Sequence, residues 1–375
     1  MKAIINGRIL LRNEILENKV LVFDEKILDI TDEAPKNCEI IDVNQKLVSP
    51  GLIDIHIHGN MGKDTMEGTD EALDTISKSV ARHGVTSYLP TTMTMDEESI
   101  VKALDSIKRG MNRKINGAKI LGAHLEGPFI NKIYKGAQNE SYITNPSYEF
   151  VKKYEDVIKV ITYAPEEDKD FKFTKDIKKN TDIVLSIGHS AATFIEARAA
   201  IRLGATNITH TFNGMTGLNH RDPGVVGAAL TTDTYCEFIC DTIHITKDLF
   251  QFILDSKTKD KVILITDSME AGGLEDGTYS LGGQAVIVKD GAARLESGSL
   301  AGSVSSLNNM VRNFYENTNL KINEAIHLAS LNPAKSLGID DRKGSLDIGK
   351  DADISIFDEN LNCHMTISSG EIIFK

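Results

Sequence analysis

A chain of 375 residues, 41% of them apolar, is long enough for a large α/β barrel plus an accessory module and holds the material for a sizeable core. Its 54 acidic residues outnumber 42 basic ones, and the net charge of −12 argues against a nucleic-acid or anionic-membrane surface as its main partner. No run of about 18 apolar residues is present. The opening MKAIINGRIL lacks a signal-peptide core, and the four cysteines (Cys38, Cys236, Cys240, Cys363) are sparse, so the expectation is a soluble, reduced, cytoplasmic protein.

Residues 1 to 50 read as short strands at Ala3–Ile5, Arg8–Leu10, Val20–Phe23 and Lys26–Ile30, separated by Asn-Gly, Arg-Asn and Asp-Glu turn signals. From Gly51 the texture changes, and apolar runs alternate with helical stretches. The runs are Leu52–His56, Ser87–Pro90, Ile120–Glu126, Val157–Tyr163, Ile183–His189, Asn207–His210, Cys236–Asp241 and Val262–Asp267. The spacing predicts helices at Asp70–His83, Glu97–Lys108, Phe194–Leu203 and Lys247–Ser256. Eight strands with interposed helices predict a (β/α)8 TIM-type barrel over residues 51–343. A strand-rich insert, Tyr279–Leu300, carries a hairpin turn at Lys289-Asp290-Gly291, and helices follow at Ser305–Glu316 and Asn323–Ser330. The end of the chain is β-like again, at Asp353–Phe357, His364–Ile367 and Ile372–Phe374. Residues 1–50 plus 344–375 therefore predict a small β-sandwich domain built from both termini.

The stretch from Leu47 to Met61 organises the chemistry. His56 and His58 lie two apart on one strand, so both imidazoles face the same side. Barrel sites form at the C-terminal ends of the strands, and the other predicted strands end in Glu126, His189, His210 and Asp267. Imidazole with carboxylate suits zinc, iron or another first-row divalent ion. Asp267 reads as the catalytic general base, with a fifth ligand or a residue orienting a ligand histidine as its alternatives. His124, two residues before Glu126, reads as a candidate supporting residue. Cys236 and Cys240 read as core thiols.

At these residues the sequence resembles the amidohydrolase superfamily and, within it, the N-acetylglucosamine-6-phosphate deacetylase family. The resemblance rests on Pro50–Asp54 with His56 and His58, Leu125–Phe129, Lys135–Ala137, Gly188–Ser190, His210–Met215, Arg221–Gly224, Asp241–His244, Thr266-Asp267 and Leu300–Ser303. It implies one firmly bound divalent ion on Glu126, His189 and His210. His56 and His58, both present here, make a second ion possible. It also implies a phosphorylated amino-sugar substrate contacted by Ala137, Gln138, Asn213, Gly214, Arg221, His244, Leu300, Ala301 and Gly302. Gln138 stands where many members have histidine. The family implies a homodimer, with the Arg221 loop reaching a neighbouring subunit's site. The competing expectations are another amidohydrolase, of cyclic-amidase or aminoacylase type, and a non-catalytic scaffold. Relatives of the former often use a lysine on the fourth strand, and none stands at that place around Val160–Tyr163.

Overall fold

The computed structural model describes all residues, 1–375. Nine parallel strands, three in one sheet and six in another, interspersed with helices, make up the α/β part. Leu52–Ile57 pairs with Val85–Pro90, which also pairs with the short Lys119–Ile120. Ala123–Glu126, Ile158–Tyr163, Val184–Ile187, Asn207–Ile208, Tyr235–Phe238 and Val262–Leu264 form a second parallel sheet in chain order. Single parallel bridges join the two sheets at both seams, Thr91 to His124 and Ile57 to Ser268.

The strands are nearly all buried along their length, as expected where helices cover a parallel sheet. Glu97–Asn112 shows how a covering helix is specified. Asp96 accepts a hydrogen bond from Ser99 N at 2.9 Å and so caps the start. Ile100, Ala103, Leu104 and Ile107 then recur on one face and are buried. Burying each of the three larger side chains contributes about 1.5–3 kcal/mol. The remaining covering helices include Asp70–Ala81, Phe194–Leu203 and Phe250–Lys257. Two more, Lys172–Asn180 and Gly224–Thr231, were not expected from periodicity, because one is short and strongly basic and the other is apolar all round. No helix is long and apolar enough to cross a membrane.

Strands from both chain ends form one eight-stranded sheet centred on Lys2–Leu10. Leu47–Pro50 pairs antiparallel with Ile354–Phe357, and this ladder fastens the C-terminal strands to the N-terminal ones. Hydrogen bonding is continuous through this sheet, whose inner residues share a core cluster of 14 buried side chains. The Asn6-Gly7 pair, which reads as a hairpin turn, sits inside a single strand. Asn6 has φ 55° and the register shifts on both sides of Gly7. At that point the strand exchanges its partner Glu39–Asp42 for Leu47–Pro50. A Cβ on Gly7 would lie 2.4 Å from Val48 Cγ2, so only glycine fits the changeover.

The insert forms a three-stranded antiparallel sheet, Gly277–Leu281, Gln284–Lys289 and Ala292–Leu295. Asp290 and Gly291 both have positive φ, 52° and 77°, as a two-residue hairpin turn requires.

His327, at the end of the helix Ile322–His327, is buried, and its pKa is pushed down to about 4 by that burial, with Arg12 and Lys335 adding to the effect. The unfolded chain, near 6.5, therefore takes up this proton first. Stability from this group is complete above about pH 6.5 and falls by roughly 2–3 kcal/mol as the pH drops towards 4. Urea titrations at pH 7 and pH 4.5 are expected to show a smaller acid loss for His327→Gln than for the parent, by that amount. Any acid sensitivity of other histidines is common to both proteins. Equal losses would assign acid sensitivity elsewhere.

Candidate active site

Glu126 ends the strand Ala123–Glu126 and is buried at the centre of four imidazoles. Its Oε1 lies 3.3 Å from His56 Nε2, 3.2 Å from His189 Nε2 and 3.1 Å from His210 Nε2. Its Oε2 lies 3.2 Å from His58 Nε2. Asp267 Oδ1 faces the same group, 3.4 Å from His56 Nε2 and 3.2 Å from His58 Nε2. The Nε2 atoms of His189 and His210 are 3.0 Å apart.

Backbone geometry brings these side chains together. His189, His210 and Asp267 each lie two or three residues beyond the last residue of their strands. All three have positive φ, 47°, 26° and 46°. The expectation that they are terminal strand residues is corrected accordingly. The strand ladder stops first, and a left-handed residue then turns the side chain back over the mouth. Such conformations are uncommon for non-glycine residues and are held by surrounding structure. Gly214 is part of that support, since a Cβ there would lie 3.0 Å from His189 Nδ1.

The far nitrogen of each ring is already engaged. His58 Nδ1 faces Thr91 O at 3.2 Å, His189 Nδ1 faces Tyr134 O at 2.7 Å, and His210 Nδ1 faces Asn213 O at 3.1 Å. His56 Nδ1 faces Glu237 Oε2 at 3.2 Å. Every one of these partners is an acceptor, so each Nδ1 carries the proton and each Nε2 turns a lone pair inward. Lone pairs and carboxylate oxygens at such distances repel unless a cation lies among them. His56 Nε2, fully buried, has no hydrogen-bond partner. The donor set therefore fits a divalent ion. Three groups bring ligand atoms close enough to hold one: Glu126 with His189 and His210, Glu126 with His56 and His58, and His56 with His124 and Glu237. In the third, both nitrogens of His124 are already hydrogen-bonded.

Electrostatics point the same way. Burial alone would discharge these histidines, yet the carboxylates reverse its effect. His56 is held well above its ordinary value by Glu126 and Asp267, His58 is raised to about 9 by Asp267 and Glu126, and His189 is raised by Glu126. Against their own burial, Glu126 is held well below the carboxylate range by His56 and His189, and Asp267 is lowered to about 2 by His56 and His58. The pocket is built for positive charge among anions. His124 is not part of it: Nδ1 bonds Ile55 O at 2.8 Å, Nε2 bonds Thr162 Oγ1 at 2.7 Å, and burial keeps its pKa well below the usual value.

A cavity of about 290 Å³ opens over this group. Ala137, Gln138, Asn213, Gly214, His244, Leu300 and Gly302 all line it. Ala301 does not; its side chain is fully buried behind the wall in the cluster with Met93 and Met269. Arg221 is exposed and lies outside the cavity of its own chain. Gln138 is locked in place, accepting from Thr94 N at 2.6 Å and donating to Glu126 Oε2 at 2.6 Å. His244 is fixed by Asp241 Oδ2, 2.7 Å from its Nδ1, which leaves Nε2 for the cavity.

Two supporting carboxylates were not singled out from sequence. Asp241 sits three residues before His244, inside a stretch noted only as a motif. Glu237 is the one charged residue within the apolar run of the seventh strand, which is the signal that could have found it.

A family model described as the amidohydrolase family matches residues 47–373. The chain belongs to the amidohydrolase family. Within it the chain belongs with the N-acetylglucosamine-6-phosphate deacetylases. The protein of that name from Bacillus subtilis (strain 168) is 39% identical over 378 aligned positions, spanning 98% of this chain and 95% of that protein. The N-acetylgalactosamine-6-phosphate deacetylase of Escherichia coli O157:H7 is 36% identical, over 90% of each chain. The crystal structure of the N-acetylglucosamine-6-phosphate deacetylase from Pasteurella multocida superposes with a TM-score of 0.93 at 30% identity, covering 99% of each chain.

Removing His210 takes away one of three protein ligands in the group with Glu126 and His189. His210→Ala is expected to lose that ion by elemental analysis and to lose hydrolysis with it. Exhaustive chelation of the parent is expected to abolish activity, and an added divalent ion to restore it. Full turnover by verified metal-free protein would refute the metal assignment.

Proposed function

We propose that this active site removes the acetyl group of N-acetyl-D-glucosamine 6-phosphate, giving D-glucosamine 6-phosphate and acetate. The observation that carries the reading is the cluster itself: Asp267 Oδ1 and both oxygens of Glu126 meet four inward Nε2 atoms on the floor of the cavity. We read the two parallel sheets as one (β/α)8 barrel, because bridges span both seams and the catalytic side chains all leave the same end. The small β domain, residues 1–50 with 344–375, is read as its accessory module.

Glu126, His189 and His210 would hold one ion, and His56 and His58, sharing Glu126, a second; zinc and iron both suit this donor set. A divalent ion bound there supplies Lewis-acid polarisation of the acetamide carbonyl and lowers the pKa of the attacking water. Asp267, held ionised, accepts the proton of that water at its carboxylate. The amide C–N bond breaks as the C–O bond completes, and Asp267 returns the proton to the departing nitrogen. Gln138 has one amide hydrogen committed to Glu126, and its other faces the cavity as a donor to substrate. Asn213, His244 and the Leu300–Gly302 loop bound the sugar side. Arg221, exposed and free of ion pairs, is read as binding phosphate in the site of a second copy within a homodimer. A guanidinium matches phosphate oxygens bidentately, and a protein of net charge −12 needs such a local cation. Free thiols at all four cysteines suit a reducing cytoplasm.

A second reading, the 4-epimer N-acetyl-D-galactosamine 6-phosphate, is favoured by the relative of that name at 36% identity. The two sugars share the acetamide and phosphate, so they differ only in contacts at one hydroxyl.

Release of acetate from both 6-phosphates and from unphosphorylated N-acetylglucosamine tests the assignment. The glucosamine derivative is expected to have the highest kcat/KM and the unphosphorylated sugar the lowest. A clear preference for the galacto epimer would exchange the two readings. Asp267→Asn keeps the shape and loses the base, so kcat is expected to fall by about 10² to 10⁴ with bound metal unchanged. Loss of the metal instead would make Asp267 chiefly a ligand.

A further inference from the structure

Beneath the four imidazoles the interior of the strand ring is polar. Thr162, Ser186 and Thr209 hydrogen-bond one another at 2.6–2.7 Å, and Thr162 also holds His124. Asp54 accepts from Thr266 Oγ1 at 2.6 Å. Each of these groups is satisfied locally. Glu237 is the exception.

Glu237 lies in the strand Tyr235–Phe238 and is fully buried. Its Oε2 faces His56 Nδ1 at 3.2 Å and the backbone N–H of His210 at 3.4 Å. Its Oε1 has no partner at all. No lysine or arginine offsets it. A buried carboxylate with one oxygen unpaired is costly unless a positive charge lies within reach.

The other three ligand histidines rest on neutral backbone carbonyls. Only His56 rests on a carboxylate. Three carboxylates, Glu126, Asp267 and Glu237, meet His56, one more than a single divalent ion offsets.

We propose that Glu237 is the positioning residue for a second divalent cation. It holds the proton of His56 on Nδ1, aims the Nε2 lone pair between Glu126 and Asp267, and supplies through the ring the negative charge that makes a second cation favourable. Glu237 touches neither substrate nor ion. The inference rests on the two-ion reading above and adds what decides whether the second place fills.

The test is metal stoichiometry and affinity, measured apart from turnover. Apo-protein is titrated with Co(II), following the visible spectrum and, by calorimetry, the two binding steps. The parent is expected to take two ions. Glu237→Gln keeps a hydrogen-bond acceptor for His56 but removes the charge. It is expected to fill the place made by Glu126, His189 and His210 with unchanged affinity, and to bind the second ion about 10–100-fold more weakly. Glu237→Asp, which restores the charge, is expected to recover part of that loss. Thermal unfolding of the apo-proteins reports any variant that fails to fold, and the Asp variant then carries the comparison. Two ions bound by Glu237→Gln with parental affinities, or parallel weakening of both steps, overturns the role of Glu237 alone. A parent that binds a single ion overturns the two-ion reading and the Glu237 assignment together.

Discussion

One buried carboxylate, Glu126, surrounded by four imidazole nitrogens within 3.1–3.3 Å, is the constraint the rest of the structure answers to. Ions and lone pairs packed this closely without water are unfavourable unless each group is oriented and each charge is met. The orientation comes from the far side of every ring, where a carbonyl or a carboxylate takes the Nδ1 proton. A cation among these oxygens and nitrogens would meet the charge, and the donor set is one that suits a divalent ion.

Meeting that constraint requires side chains from five separated stretches of chain to converge, and the architecture supplies the convergence. The parallel strands all point one way, so residues just past their ends share a mouth. The ladders are short at His189, His210 and Asp267, and a left-handed residue closes each one. Local backbone strain is spent where several imidazoles must fit around one carboxylate. The terminal sheet steadies this from outside, since Leu47–Pro50, locked to Ile354–Phe357, runs directly into the strand bearing His56 and His58.

The cavity above combines two kinds of wall. Gln138, His244 and Asn213 are polar and individually anchored, while Leu281 and Leu300 come from the insert sheet and its return loop. The insert therefore belongs to the site as much as the strands do: it narrows the mouth over the metal-binding floor. Arg221 stands apart from this wall, exposed and outside the cavity of its own chain.

Much of this was legible in the sequence. The alternation of apolar runs and helical stretches marks the parallel strands because burial on both faces demands it. His56, His58, Glu126, His189, His210 and Asp267 stand out because polar residues recur at the ends of those runs. Other features are invisible at that level. Asn6-Gly7 has the composition of a hairpin turn, and only the presence of Val48 against Gly7 makes it a bulge. Ala301 and Gly302 are neighbours in one motif, yet the fold buries the first and exposes the second to the cavity. His124 and Glu126 share a strand face, and only the position of Thr162 takes His124 out of the metal cluster. Glu237 lies far from His56 in sequence and beneath it in space. The residue types and their periodicity determined the class of chemistry and the order of strands, because ligand chemistry and burial are local properties. Which nitrogen faces inward, which carboxylate stands behind which ring and which loop residue reaches the cavity were decided by packing between distant segments, and only the tertiary structure carries that information.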